Sequence, residues 1–169
     1  MRRTVILVEG ESDRAALHAA AARRGEEPPA RIEVLHGITN LAKALAAHAG
    51  DRVVVLFDGD ERARVARAIE RAPTTPIAAI ACERDLEDEL IRALGADGVL
   101  AVIAAEGDLP AWRALRGQPF HRGRPVDEVL HRFMGSIGGR KLRYARALVE
   151  ALRPGAIPRP LVDALAAAR

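Results

Sequence analysis

Four carboxylates in two short motifs carry the most pointed chemistry in this chain. One motif is Glu9-Gly10-Glu11-Ser12-Asp13, and the other is Asp58-Gly59-Asp60. Each follows directly on an unbroken aliphatic run, Val5–Val8 and Val53–Phe57. If Glu9, Asp13, Asp58 and Asp60 converge, their charges repel one another. Such a cluster suits a hard cation that takes oxygen ligands, and Mg²⁺ is the common choice for phosphate chemistry. Gly10 and Gly59 let backbone or a phosphate approach without a Cβ in the way. Each acid also has a plainer reading alone: Asp and Glu at strand-to-helix turns are often helix caps.

A second acidic run comprises Glu83, Asp85, Glu87, Asp88 and Glu89. It stands at a helix start, where acids complement the helix dipole. Lys141 is one of only two lysines. On a helical wheel it falls at the edge of the apolar face made by Leu142, Ala145, Leu148, Val149 and Leu152. From there it either snorkels outward or reaches an acidic partner. Arg122, Arg124, Arg140, Arg143 and Arg146 are candidate phosphate contacts. Aromatics are too sparse to suggest base stacking, and His36, His121 and His131 have no spacing that singles them out.

The elements that must position these groups are legible from periodicity. Strands are expected at Val5–Val8, Arg31–Leu35, Val53–Phe57 and Pro76–Ala81. Helices are expected over Ala15–Arg24, from Thr39 or Asn40 to about His48, over Glu61–Arg71, and over Leu86–Leu94 with a stop at Gly95. The order βαβαβαβα, with strands apolar on both faces, implies an α/β fold with a parallel sheet of about four strands flanked by helices. Ligands of such sheets sit beyond the carboxyl ends of the strands, where Glu9 and Asp58 stand. After Gly95, Val99–Ala105 reads as helix or strand. Residues 107–125 read as loop with a short helix near Trp112. Helices are expected at Val126–Met134, at Lys141–Leu152 and after Pro160, with a glycine-rich turn at Gly135–Gly139. The expected division is an α/β core over 1–106 and a basic helical extension over 107–169 that completes the site.

Composition narrows the function classes. The chain has 169 residues and one cysteine, so no internal disulfide and no cysteine-built zinc site can form. No stretch approaches the length of a membrane span, and Val5–Val8 is too short for a signal peptide, so a soluble cytoplasmic protein is expected. The net charge of +3 hides an asymmetry. Residues 1–111 hold 14 Lys/Arg against 19 Asp/Glu, whereas residues 112–169 hold 12 against 4. An acidic site beside a basic surface, or simply a solvated arginine-rich face, would give this pattern.

The motifs together carry a resemblance. Val8-Glu9-Gly10-Glu11-Ser12-Asp13-Arg14-Ala15-Ala16-Leu17 resembles the first motif of Toprim domains, in the form found in the overcoming-lysogenization-defect (OLD) family of nucleases. Leu56-Phe57-Asp58-Gly59-Asp60 resembles the Toprim Asp-x-Asp motif. Asp85-Leu86-Glu87-Asp88-Glu89-Leu90-Ile91 is similar to the acidic helix start that follows, and Gly139-Arg140-Lys141-Leu142-Arg143-Tyr144-Ala145 to the lysine-bearing segment near the end. The resemblance implies a Toprim-like sheet and two-metal cutting of DNA by Mg²⁺ or Mn²⁺. It implies that Glu9 is ligand or general base, that Asp13, Asp58 and Asp60 are ligands, and that Asp85 and Glu87 hold a second ion. Lys141 would assist the leaving group. The chain departs from full OLD enzymes in having no G-x-x-x-x-G-K-[ST] motif, so any ATPase would act in trans. An oligomer is compatible with the sequence. Two rivals stand beside this reading. One is a module that binds nucleic acid or partners an ATPase without cutting. The other is a HAD-like phosphohydrolase, whose Asp-x-Asp belongs on the first strand, not the third.

Overall fold

Alternation of aliphatic side chains builds a sheet that is buried on both faces. In β1 (Thr4–Val8), Ile6 and Val8 point into one core cluster while Val5 and Leu7 point into another. In β3 (Arg52–Phe57), Val54 and Leu56 join the first cluster, and Val53, Val55 and Phe57 the second. Adjacent strand residues face opposite sides, so continuous apolar runs require a layer of helices on each face. The computed structural model describes residues 3–135 and 139–169. Its sheet holds four parallel strands in the order β2-β1-β3-β4, with β2 at Arg31–Val34 and β4 at Ala78–Ala81.

The strand order explains where the helices lie. Helix α1 (Glu11–Arg23) connects β1 outward to β2 and packs on one face. The chain then returns past β1, and α2 (Leu41–Ala47) and α3 (Arg62–Glu70) cover the opposite face. Right-handed crossovers in opposite directions place helices on opposite faces. The reversal point is therefore between β1 and β3, the position at which open α/β sheets bind ligands.

Helix α4 (Leu86–Ala105) is two helical stretches joined at Gly95, where the first was expected to stop. Gly95 does leave helical geometry, with φ 73° and ψ 158°, but the chain re-enters helix at once and Val99–Ala105 is helical. The glycine therefore ends the first stretch, and a kink joins it to the second. Helices α5 (Leu109–Arg116), α6 (Val126–Gly135), α7 (Arg140–Ala151) and α8 (Arg159–Ala167) follow. Most of the expected turn at Gly135–Gly139 lies outside the described residues. Helix α7 packs on α1 and α4, burying Tyr144, Ala145, Leu148 and Val149. Tyr144 meets Phe133 edge-on at 6.0 Å and donates to the Asp108 carboxylate at 3.1 Å. This anchorage fixes the start of α7, and with it Lys141, over the ends of the strands. One apolar cluster runs through sheet, α1, α4 and the helices after it. Among the described residues, no helix is long and apolar enough to cross a membrane.

Candidate metal centre

Register brings Glu9 and Asp58 together. Val8 pairs with Leu56, so the two acids leave adjacent strands at nearly the same level. The chain after β2 folds over them: the Leu35 amide donates to the Val8 carbonyl at 2.8 Å, and the Gly37 amide to the Glu9 carbonyl at 3.2 Å. Between them His36 adopts φ 55°, a left-handed conformation uncommon outside glycine. Glu9, Asp13, Asp58, His36 and Lys141 line an open cleft of about 300 Å³.

Electrostatics in the cleft disfavour ionised carboxylates. Burial, then the charge of Glu61, raises the pKa of Glu9. Glu9 Oε2 is buried with no hydrogen-bond partner among the described residues, an arrangement that costs free energy unless something binds it. Burial lifts the Asp13 pKa to about 6. The Gly10 amide, which donates to Asp13 Oδ2 at 2.8 Å, opposes the lift, while Glu87 and Glu9 add to it. Asp13 is thus a helix-start cap and a cleft residue at once. Asp58 is pushed up to about 7 by burial and then by Asp13, against the pull of Lys141.

A second group of polar side chains borders the cleft, and among the described residues it alone brings three possible metal-ligand atoms close together. Asp85 caps α4, accepting the Asp88 amide at 2.9 Å on Oδ1, while its Oδ2 meets His131 Nε2 at 2.6 Å. Burial opposes ionisation of Asp85, but the His131 contact and the Asp88 amide outweigh it and hold its pKa low. The same pairing raises His131 against the effect of burial. Glu87 is buried at 5% exposure, and Lys141 Nζ reaches its Oε2 at 3.2 Å. Asp85, Glu87 and His131 each offer one ligand atom, all within 4.8 Å of one another. Glu87 and Asp85 also contribute to the raised pKa of Asp58, so the two sets feel each other's charge.

Gly59 makes this approach possible. A Cβ there would lie 2.0 Å from the Glu83 carbonyl oxygen and 2.9 Å from that of Cys82. The Gly59 amide donates to the Arg84 carbonyl at 2.6 Å. The Asp58 turn is thereby pressed against the segment that carries Asp85. At Gly10 an added Cβ would meet only ordinary contacts, so no close approach requires that glycine. The two carboxylates and one imidazole of Asp85, Glu87 and His131 could hold a metal ion.

Several expected residues lie elsewhere. Asp60 is exposed in the short turn Gly59–Glu61 and does not line the cleft; Glu61, one residue on, is the acid whose charge reaches Glu9. Arg140 is buried at 7% exposure, donates to the Phe133 carbonyl at 3.1 Å and stacks 4.0 Å over the Phe133 ring. It secures the packing of α7 on α6 and offers no surface to a phosphate. Arg143 is held by Glu106 and Asp108, and Arg146 by Glu150 at 2.6 Å. Arg122 and Arg124 are exposed. Sequence reasoning missed His131, because its partner Asp85 is 46 residues away and no local spacing announces the pair.

No protein-family model matches the sequence, and no curated protein matches it. Solved structures do. The chain is similar to the C-terminal region of the Burkholderia pseudomallei OLD protein, with TM-score 0.71 and 23% identity, covering 98% of this chain and 96% of that one. It is likewise similar to the C-terminal region of the Xanthomonas campestris pv. campestris OLD protein, with TM-score 0.67 and 24% identity, covering 98% and 91%. At these identities the likeness is one of fold: a Toprim-like α/β sheet with its helical extension, over nearly the whole chain.

Proposed function

We propose that this protein hydrolyses phosphodiester bonds of DNA, using two divalent ions, Mg²⁺ or Mn²⁺. The observation that carries the reading is the meeting of two ligand sets from separate elements, Glu9, Asp13 and Asp58 on one side and Asp85, Glu87 and His131 on the other. Lys141 lines the first set's cleft and pairs with the second set at Glu87. Bound ions supply charge stabilisation at the attacking and leaving oxygens of an in-line displacement. The protein's residues hold the phosphate between the two sets. Glu9, with a raised pKa and a free buried oxygen, serves as ligand or general base. Lys141 is half-exposed at the cleft, where its ammonium can meet charge developing on the phosphate. Arg122 and Arg124 contact the backbone directly, while Arg143 and Arg146 exchange their carboxylate partners for phosphates. Any ATPase partner would have to come from outside this sequence, which holds no G-x-x-x-x-G-K-[ST] motif.

Supercoiled plasmid incubated with purified protein should be nicked in Mn²⁺ or Mg²⁺ and left intact in EDTA. DNA binding without any cutting across Mg²⁺, Mn²⁺ and Ca²⁺ would favour the alternative, a module that binds nucleic acid or an ATPase without catalysis.

A further inference from the structure

Beside Asp85, Glu87 and His131 lies a pocket with three arginines and one acid, Glu128, of which the proposed chemistry uses only His131 and Arg124. It has a volume of about 420 Å³ and is lined by Arg84, Arg124, Arg132, Phe120, His121 and His131 among others. Phe120 is 56% exposed, unusual for a large apolar ring. The Arg124 guanidinium lies 4.2 Å from its ring centroid and that of Arg132 lies 5.2 Å away. Exposed cation–π contacts contribute little to folding, so stability alone gives weak reason to keep Phe120 outside the core. His121 is buried at 1% exposure, and its Nδ1 has no hydrogen-bond partner among the described residues. Two lining residues tie the pocket to the metal centre: His131 bonds Asp85 at 2.6 Å, and Arg84 Nε lies 3.8 Å from the same carboxylate.

We propose that this pocket receives an unpaired nucleotide of the DNA substrate next to the bond to be cut. Its base would stack on Phe120 and the adjoining guanidinium groups, and its phosphate would meet Arg84 or Arg132. The inference rests on the nuclease reading for its substrate class. Two features favour an unpaired nucleotide over intact duplex. An exposed aromatic ring framed by guanidinium groups, which a base can displace or stack upon, is the kind of surface that receives splayed bases. Three arginines around it supply phosphate contacts. The volume falls within the roughly 300–1,000 Å³ of ordinary ligand pockets.

The test uses a hairpin duplex with or without an unpaired tail, the tail carrying 2-aminopurine, bound to the full chain in EDTA so that no cutting intervenes. The tailed DNA should bind about tenfold more tightly than the blunt hairpin, and 2-aminopurine emission should change on binding. Phe120→Ala should remove both effects while leaving blunt-hairpin affinity and melting temperature unchanged, since Phe120 is exposed. Phe120→Trp should restore them. Equal affinities for tailed and blunt DNA, or a preference that survives Phe120→Ala, would overturn the proposal. Because the readout is binding, a protein that fails to nick plasmid yet prefers tails through Phe120 refutes the nuclease reading alone. A protein that nicks without that preference refutes the pocket alone.

Discussion

Asp58→Asn should stabilise the metal-free protein at alkaline pH and remove its response to divalent ions. Asp58 titrates near 7 in the folded chain against an ordinary 3.8. Between those values the folded state binds more protons than the unfolded state, so stability must fall as pH rises. The contribution is complete below about 4 and is lost as pH passes through about 7. Asp13 acts in the same direction, through about 6. Moving one carboxyl from 3.8 to about 7 corresponds to about 4 kcal/mol between its protonation states. Asp58 is only partly buried and coupled to Asp13, so solvent screening and sharing reduce this to on the order of 2 kcal/mol. For a chain of this size that is about 4–8 °C in melting temperature. The assay is thermal unfolding in EDTA from pH 5 to 8.5. Wild type should lose stability across that range. Asp58→Asn should lie closest to wild type at pH 5 and melt higher by a growing margin up to pH 8. Mn²⁺ at a hundredfold excess over its Kd should add about 2.7 kcal/mol to wild type and far less to the variant. A wild-type melting temperature that is flat with pH, or an Mn²⁺ response unchanged in Asp58→Asn, would refute the reasoning.

Three further outcomes are expected. Gly59→Ala should destabilise the fold by about 1–3 kcal/mol in a urea melt, because its Cβ would meet the Glu83 carbonyl at 2.0 Å. His131→Ala should weaken Mn²⁺ binding by about 10- to 100-fold in calorimetry, whether His131 binds the ion itself or orients Asp85, and an unchanged affinity would remove it from the site. Lys141→Ala should slow single-turnover cleavage about a hundredfold or more while changing DNA affinity little, whereas Arg143→Ala should weaken binding and flatten its salt dependence. If both variants behaved alike, Lys141 would be one more phosphate contact.

The sheet was legible because its signals are local. Val5–Val8 and Val53–Phe57 are apolar on both faces, and such runs, separated by helical patterns, admit few arrangements besides a covered parallel sheet. Glu9 and Asp58 were legible for the same reason, since each is the residue at which a buried run ends. The misplacements share a different cause. Asp60 is exposed in the single short turn after β3, and Glu61, one residue on, is the acid whose charge reaches Glu9. Arg140 reads as surface charge in any periodicity, yet the stacking of its guanidinium on Phe133 draws it inside. The Asp85–His131 pair and the Phe120 pocket join segments far apart in the chain, and only the folded packing of α6 against the start of α4 reveals them.

The most direct measurement of the central claim is plasmid nicking by wild type and Asp58→Asn, prepared identically and assayed in Mn²⁺, with bound Mn²⁺ counted on the same samples. Wild type should bind two ions and convert supercoiled plasmid to nicked circles, while the variant should lose at least one ion and nearly all nicking, with its fold intact. Equal nicking by the two proteins, or nicking by wild type with no bound ion, would contradict the account.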